Sequence, residues 1–186
     1  MSPLIRLPLT VEFALLGFLR PGALHGYEIH RRLSDPVGLG LVWHVKQSQL
    51  YALLTKLEAD AYLTSSFKAQ ETRPTRKIYR LTKNGTDTFL EWVQSPVPHG
   101  RDIRLDFLVK FYFAQREGLK VAARLLKRQR TTCQEWLATQ QALLNTLPNP
   151  KSYEWQVCQF RIGQIQAMLA WIDLCEQTRA VLQLAA

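Results

Sequence analysis

Residues 46–58 place hydrogen-bonding side chains on one side of a helix and leucines on the other. Leu50, Leu53, Leu54 and Leu57 recur at i, i+3, i+4 and i+7, the period of a buried helical face. The opposite side carries Ser48, Ala52 and Thr55, flanked by Gln49, Tyr51 and Lys56, with Lys46 and Gln47 at the helix start. This chemistry suits a DNA major groove. A glutamine amide donates and accepts as a pair at adenine N6 and N7, and a serine or threonine reaches a base edge or a thymine methyl. After the helix come two β-rich runs, 63–69 and 76–82, around a polar turn that contains Pro74, the pattern of a β-wing. Tyr51 can bond a phosphate or pack beneath that wing. Lys68, Arg73, Arg76 and Lys77 bracket the turn, and cations there suit phosphates or the minor groove. The competing use of these groups is solubility of a helix start and an exposed hairpin.

Catalytic or metal chemistry finds no comparable pattern. His25 and His30 share a helix at i, i+5, which does not put them on one face. Cys158 and Cys175 lie seventeen residues apart, about 100° from each other around one helix, so they do not share a metal. Gly38 and Gly40 lack the rest of a phosphate-binding loop. No enzyme activity, cofactor or metal is expected.

The elements that position these groups are set by periodicity and breaks. Thr10 serves as N-cap of a helix over 11–19, and a second short helix over 25–33 must end before Asp35 and Pro36. The third helix begins near Lys46 and closes around Tyr62. Thr82 caps a fourth helix that ends at the Pro-containing stretch 95–98. Three helices and a hairpin make a winged helix-turn-helix. The domains expected are a DNA-binding domain over 1–95, a linker over 96–100 and a helical domain over 101–186.

Beyond the linker the chain turns to long helices, over 102–115, 118–147 and 152–184. The second carries Leu119, Ala122, Leu126, Gln129, Cys133, Leu137, Gln140 and Leu144 at alternating three and four spacing, a heptad-like seam diluted by two glutamines. The last helix has an apolar band wide enough for two partners, which predicts a homodimer through Ile162, Ile165, Leu169 and Ile172. The fold class is mainly α with a small β-wing. Trp92, Tyr112, Trp136, Trp155 and Phe160, with Tyr153 and Trp171, could line an apolar cavity for a flat ligand; packing is the other use of each. Arg104, Lys110 and Arg161 could pair a ligand carboxylate or stand in solvent.

Composition agrees with a polyanionic partner. The chain has 186 residues, is 47% hydrophobic and carries a formal net charge of +9, with a sequence pI near 9.7. Three cysteines without a C-x-x-C pairing fit a reducing compartment, and no leader or long apolar run stands out. A soluble, unprocessed, cytoplasmic protein is expected.

Four blocks carry a family resemblance. Gly26-Tyr-Glu-Ile29, Gln49-Leu-Tyr-Ala-Leu-Leu-Thr-Lys-Leu-Glu58, Arg73-Pro-Thr-Arg-Lys-Ile-Tyr-Arg-Leu-Thr-Lys-Asn-Gly85 and Arg104-Leu-Asp-Phe-Leu-Val-Lys-Phe-Tyr-Phe113 resemble, in this order, the long members of the PadR-type transcriptional regulators. The resemblance implies a homodimeric repressor whose winged helices bind a pseudo-palindromic operator. It also implies a C-terminal helical domain that dimerises and senses a small aromatic effector, such as a phenolic acid or drug. Lys46-Gln47-Ser48 stands where the family usually has Ser-Pro-Gly, and Ala52 and Ala61 where Pro and Gly are common. The function expected is sequence-specific binding of double-stranded DNA. The alternative is a winged-helix protein-interaction module without specific DNA readout.

Overall fold

A computed structural model describes residues 10–43, 45–70 and 73–184. The chain divides into two compact units, residues 1–93 with 104–116, and residues 94–103 with 117–186. The architecture is mainly helical with one small antiparallel sheet, as the sequence predicts.

The first unit is a winged helix. α1 (Thr10–Phe18), α2 (Gly26–Leu33) and α3 (Gln47–Ala59) precede the hairpin of β2 (Leu63–Gln70) and β3 (Arg73–Leu81), and α4 (Lys83–Trp92) comes after it. Thr10 is the first residue of α1 and donates its hydroxyl to Asp106, so its side chain is turned to another element and not to the helix start. Leu50, Leu54 and Leu57 of α3 are fully buried, each worth roughly 1.5–3 kcal/mol relative to exposure. Thr82 caps α4 as expected, its Oγ1 accepting the Gly85 N–H at 2.9 Å.

A two-residue strand, β1 (Leu24–His25), precedes α2 and pairs with β3, giving the sheet order β1-β3-β2. Ser65 stands opposite Tyr79 and Lys68 opposite Arg76, with an irregularity between Lys68 and Gln70. Sequence periodicity does not reveal β1, because two residues are too few for an alternation to show.

α5 (Asp106–Glu117) also belongs to this unit, although its position in the sequence assigns it to the helical domain. Its aromatic face explains the difference. Phe107 and Phe113 are buried; Phe113 meets Phe18 and Phe89 edge to face, at ring-centre separations of 5.2 and 5.7 Å. Gly17 of α1 makes this possible, since a Cβ there would stand 2.5 Å from the Phe113 ring.

The second unit is an α-hairpin of α6 (Leu119–Thr146) and α7 (Tyr153–Leu184). Ala122, Leu126, Gln129 and Cys133 are fully buried in the predicted seam, whereas Leu119 is exposed and the seam loosens beyond Leu137. Arg130 of α6 holds Asp173 and Glu176 of α7 at 2.5 and 2.7 Å. Ser152 starts α7 by accepting the Trp155 N–H at 3.2 Å.

The expected linker is part of this second unit. Val97 is buried, and its N–H donates to Oε1 of the buried Gln129 at 2.8 Å. Arg124 donates to the side chain of Gln94 and Arg128 to its carbonyl oxygen. Residues 94–98 are therefore strapped to α6.

Candidate nucleic-acid interface

α3 presents its first turn bare. Lys46, Gln47, Ser48 and Gln49 are all exposed, and Lys46, the N-cap residue, makes no side-chain cap bond. The first main-chain bond of the helix is donated by Leu50 to Lys46, which leaves the amides ahead of it without helical acceptors. Free amides, the positive end of the helix dipole and the Lys46 ammonium together favour a phosphate. Ala52 and Thr55 continue the exposed face one turn further. Thr55 donates its hydroxyl to the Tyr51 carbonyl at 3.0 Å, so it offers outward only its methyl and an acceptor.

Tyr51 lies against α2. A Cβ on Gly26 would stand 2.5 Å from its ring, so glycine at the start of α2 is what lets the two helices approach here. The side chain stays partly exposed beside the exposed Tyr27.

Two predicted DNA-contacting lysines are committed elsewhere. Lys56 ion-pairs with Glu12 of α1, whose carboxylate is fully buried, and lies 3.9 Å from Asp60. Lys77 pairs with Glu58 at 2.6 Å, and its ammonium lies 5.2 Å from the centre of the Tyr79 ring. Glu58 also accepts from Ser65. The hydrogen bonds from Lys77 and Ser65 hold the Glu58 carboxyl below its usual range, and the bond to Glu58 raises Lys77. Glu12 and Glu58 are too far from their lysines in sequence for helical spacing to disclose either pair. The side chains of Lys68, Arg73 and Arg76 lie outside the described residues, as do His44 and the hairpin turn at 71–72.

Sequence reasoning misses a basic concavity on α2, formed by Tyr27, His30, Arg31, Arg32, Ser34, Asp35 and Pro36. Arg31 and Arg32 are exposed in the last turn of α2. His30 Nε2 lies 3.3 Å from the Val45 carbonyl, which ties α2 to the segment entering α3. The signal is present as His30-Arg-Arg32, but such a run also complements a helix C-terminus and so does not stand out. In helix-turn-helix proteins the helix ahead of the recognition helix crosses the DNA backbone, where cations are useful.

The aromatic residues expected to share an effector cavity divide between the two units. Trp92 stacks on Phe13 at 4.5 Å and Tyr112 packs against Phe18 and Phe113, all within the winged-helix unit. Trp136, Trp155 and Phe160 belong to the helical unit; Trp136 lines a cavity there, and Phe160 is 65% exposed. Of the potential carboxylate partners, Lys110 is buried, 5.2 Å from the Trp92 ring centre, and burial lowers its pKa to about 8 against the pull of Asp106. Arg161 lines the cavity in the helical unit.

The residues expected at a dimer interface are mostly used within one chain. Ile162, Ile165 and Ile172 are buried in the packing of α7 on α6, and Leu169 is half-buried. The exposed apolar residues of α7 are others. Tyr153, Phe160, Ala167 and Leu174 recur every seven residues and all face solvent. Cys133 and Cys158 are buried and Cys175 is half-buried; burial raises the Cys133 and Cys175 thiols. Among the described residues no helix is long and apolar enough to cross a membrane.

Comparison with known proteins gives two family matches. Residues 15–91 match the transcriptional regulator PadR-like family, and residues 103–183 match the virulence activator alpha C-terminal family. The chain is 32% identical over 120 residues to the negative transcriptional regulator PadR of Bacillus subtilis, covering 64% of this chain and 65% of the relative. It is 26% identical over 89 residues to the probable transcriptional regulator Rv1176c of Mycobacterium tuberculosis, covering 48% of this chain and 46% of that one. The matches thus span less than two thirds of either relative. A crystal structure of Bacillus subtilis PadR in complex with operator DNA is 25% identical, with a TM-score of 0.47 over 92% of this chain and 99% of that chain.

Proposed function

From its membership of the PadR-like family of transcriptional regulators, to which this chain belongs through residues 15–91, we propose that it is a sequence-specific double-stranded-DNA-binding repressor. The observation that carries this reading is the uncommitted first turn of α3. Gln47, Ser48 and Gln49 stand free beside Lys46, on a helix fixed at its other end by ion pairs. Arg31 and Arg32 of α2 supply phosphate contacts alongside, with Tyr27 and Tyr51 as hydroxyl donors. Repression, rather than activation, is supported by the negative regulator of Bacillus subtilis.

The protein acts as a homodimer through the exposed stripe of α7, Tyr153, Phe160, Ala167 and Leu174, and not through the isoleucines already covered by α6. Two copies place two recognition helices on a pseudo-palindromic operator. The helical unit receives a small aromatic effector that relieves repression. No catalytic role is assigned.

Fluorescence anisotropy with duplexes tiled across the upstream region of its own gene tests the reading, against scrambled duplexes, at about 50 and 200 mM salt. A tile bound at least about a hundredfold tighter than scrambled DNA is the expected result. Uniform weak binding that vanishes at the higher salt would overturn it in favour of a protein-interaction module.

A further inference from the structure

Two glutamines interrupt the apolar seam of α6, and neither is explained by DNA binding. Gln129 fastens Val97 through its side-chain carbonyl. Gln140 lies three turns further along α6, and its side-chain carbonyl oxygen is buried without a hydrogen-bond partner. An unsatisfied buried acceptor is costly, and most such groups in folded proteins find a partner.

Gln140 lines a cavity of about 550 Å³ within the helical unit, in the size range of small-molecule sites. His99, Arg101, Trp136, Arg161 and Met168 line it too. Trp136 supplies a flat apolar wall and Met168 an adaptable one. Arg101 lies 3.6 Å from Asp102, which takes part of its charge. Arg161 has no ion-pair partner among the described residues, so the cavity keeps an uncompensated guanidinium.

We infer that this cavity binds a flat aromatic anion that also carries an O–H or N–H donor, with Arg161 taking the anionic group, Trp136 the ring and Gln140 the donor. The terminal amide torsion of glutamine is soft, so the Gln140 carbonyl turns to the ligand at little cost. Gln140 is therefore the specificity-determining residue, favouring ligands that bring a donor over equally flat anions that do not.

The cavity also has a route to the winged helix through the chain itself. Pro98, His99, Gly100 and Arg101 form one wall, and they belong to the segment 94–103 that leaves α4 and returns into α5. Both ends of that segment are thus joined to the DNA-binding unit, while Gln129 fixes its middle to α6. Gln129 acts as a positioning residue, holding the wall so that occupancy of the cavity is felt at both ends. This part rests on the repressor reading above; ligand selection does not.

Calorimetric titration of the full-length protein with 6-hydroxy-2-naphthoate and 2-naphthoate provides the test. The hydroxylated anion is expected to bind about fivefold to tenfold tighter, the size of one added hydrogen bond. Gln140→Leu should erase that preference while leaving 2-naphthoate affinity within about twofold. Arg161→Gln should weaken both by roughly tenfold, and leave the uncharged 2-naphthol unaffected. Gln129→Leu should bind both as the native protein does, yet lose the change in operator affinity that the hydroxynaphthoate causes; Gln129→Glu, which keeps an acceptor for Val97, should restore it. Equal loss of both anions in Gln140→Leu, or unchanged binding in Arg161→Gln, would overturn the site. Hydrogen exchange at 97–101 separates the two readings. Ligand-induced protection there without operator binding would remove the repressor and keep the cavity, whereas operator binding without protection would remove the relay.

Discussion

The two ends of α3 are treated in opposite ways. At its start Lys46, Gln47, Ser48 and Gln49 are exposed, and no side-chain hydrogen bond engages them among the described residues. At its end Lys56 and Glu58 are engaged by Glu12, Asp60, Lys77 and Ser65. One end is available to be matched by a partner, and the other is bolted to α1 and to the hairpin. A lysine count along the sequence would rank both ends as equally suited to DNA. The structure separates cations that hold the reading head from the cation that belongs to it.

The largest effect expected from breaking this division comes at the bolted end. Lys56→Met leaves Glu12 buried without its ammonium, and should lower unfolding stability by roughly 3 kcal/mol, the lower end for a broken buried pair because Lys56 itself is partly exposed. Urea unfolding measures it. Unchanged stability would mean that the pair does not anchor α3.

Lys110→Met should move stability in the other direction. Burial depresses the Lys110 pKa to about 8, so between about pH 8 and its ordinary value of 10.5 the unfolded chain binds the extra proton. Stability of the native protein therefore rises with pH across that window. The variant should be more stable by about 2 kcal/mol at pH 7, with the gap closing as pH approaches 10. A constant gap across that range would assign the effect to packing rather than charge.

At the free end, Gln49→Ala should cost about 1 kcal/mol on operator DNA and nothing on scrambled duplex, with stability unchanged. Equal losses on both duplexes would remove Gln49 from base readout. The smallest effect sharpens the comparison most. Lys46→Ala should flatten the log–log salt dependence by about 0.9 per binding site, whereas Lys77→Ala should leave that slope as it is, because its ammonium already serves Glu58.

The parts of this fold that show in the sequence are those with a local period. Leu50, Leu54 and Leu57 announce α3, Ala122, Leu126, Gln129 and Cys133 announce the seam of α6, and Thr82 announces the start of α4. What stays hidden depends on residues far apart. Glu12 meets Lys56 across 44 positions, Thr10 meets Asp106 across 96, and β1 is too short to carry an alternation. The candidate DNA surface divides along the same line. Exposure of Gln47, Ser48 and Gln49 is set by helical phase, but the loss of Lys56 and Lys77 to ion pairs is not. On α7 the apolar band is visible in the sequence, yet phase alone does not tell which edge α6 covers, and so it points to isoleucines that the structure buries within one chain.

The return of α5 into the winged-helix unit bears on how such a protein can be inherited. A chain whose reading head ended at residue 93 could exchange its helical half for another by one genetic crossover. Here the head is completed by residues 104–116, and Phe113 sits in the gap left by Gly17. A new helical half must therefore arrive either with an α5 that fits this α1, or as an insertion at 94–103 together with a replacement after 116. The two halves of such a regulator are expected to diverge as a matched pair, with Gly17 and Phe113 changing together.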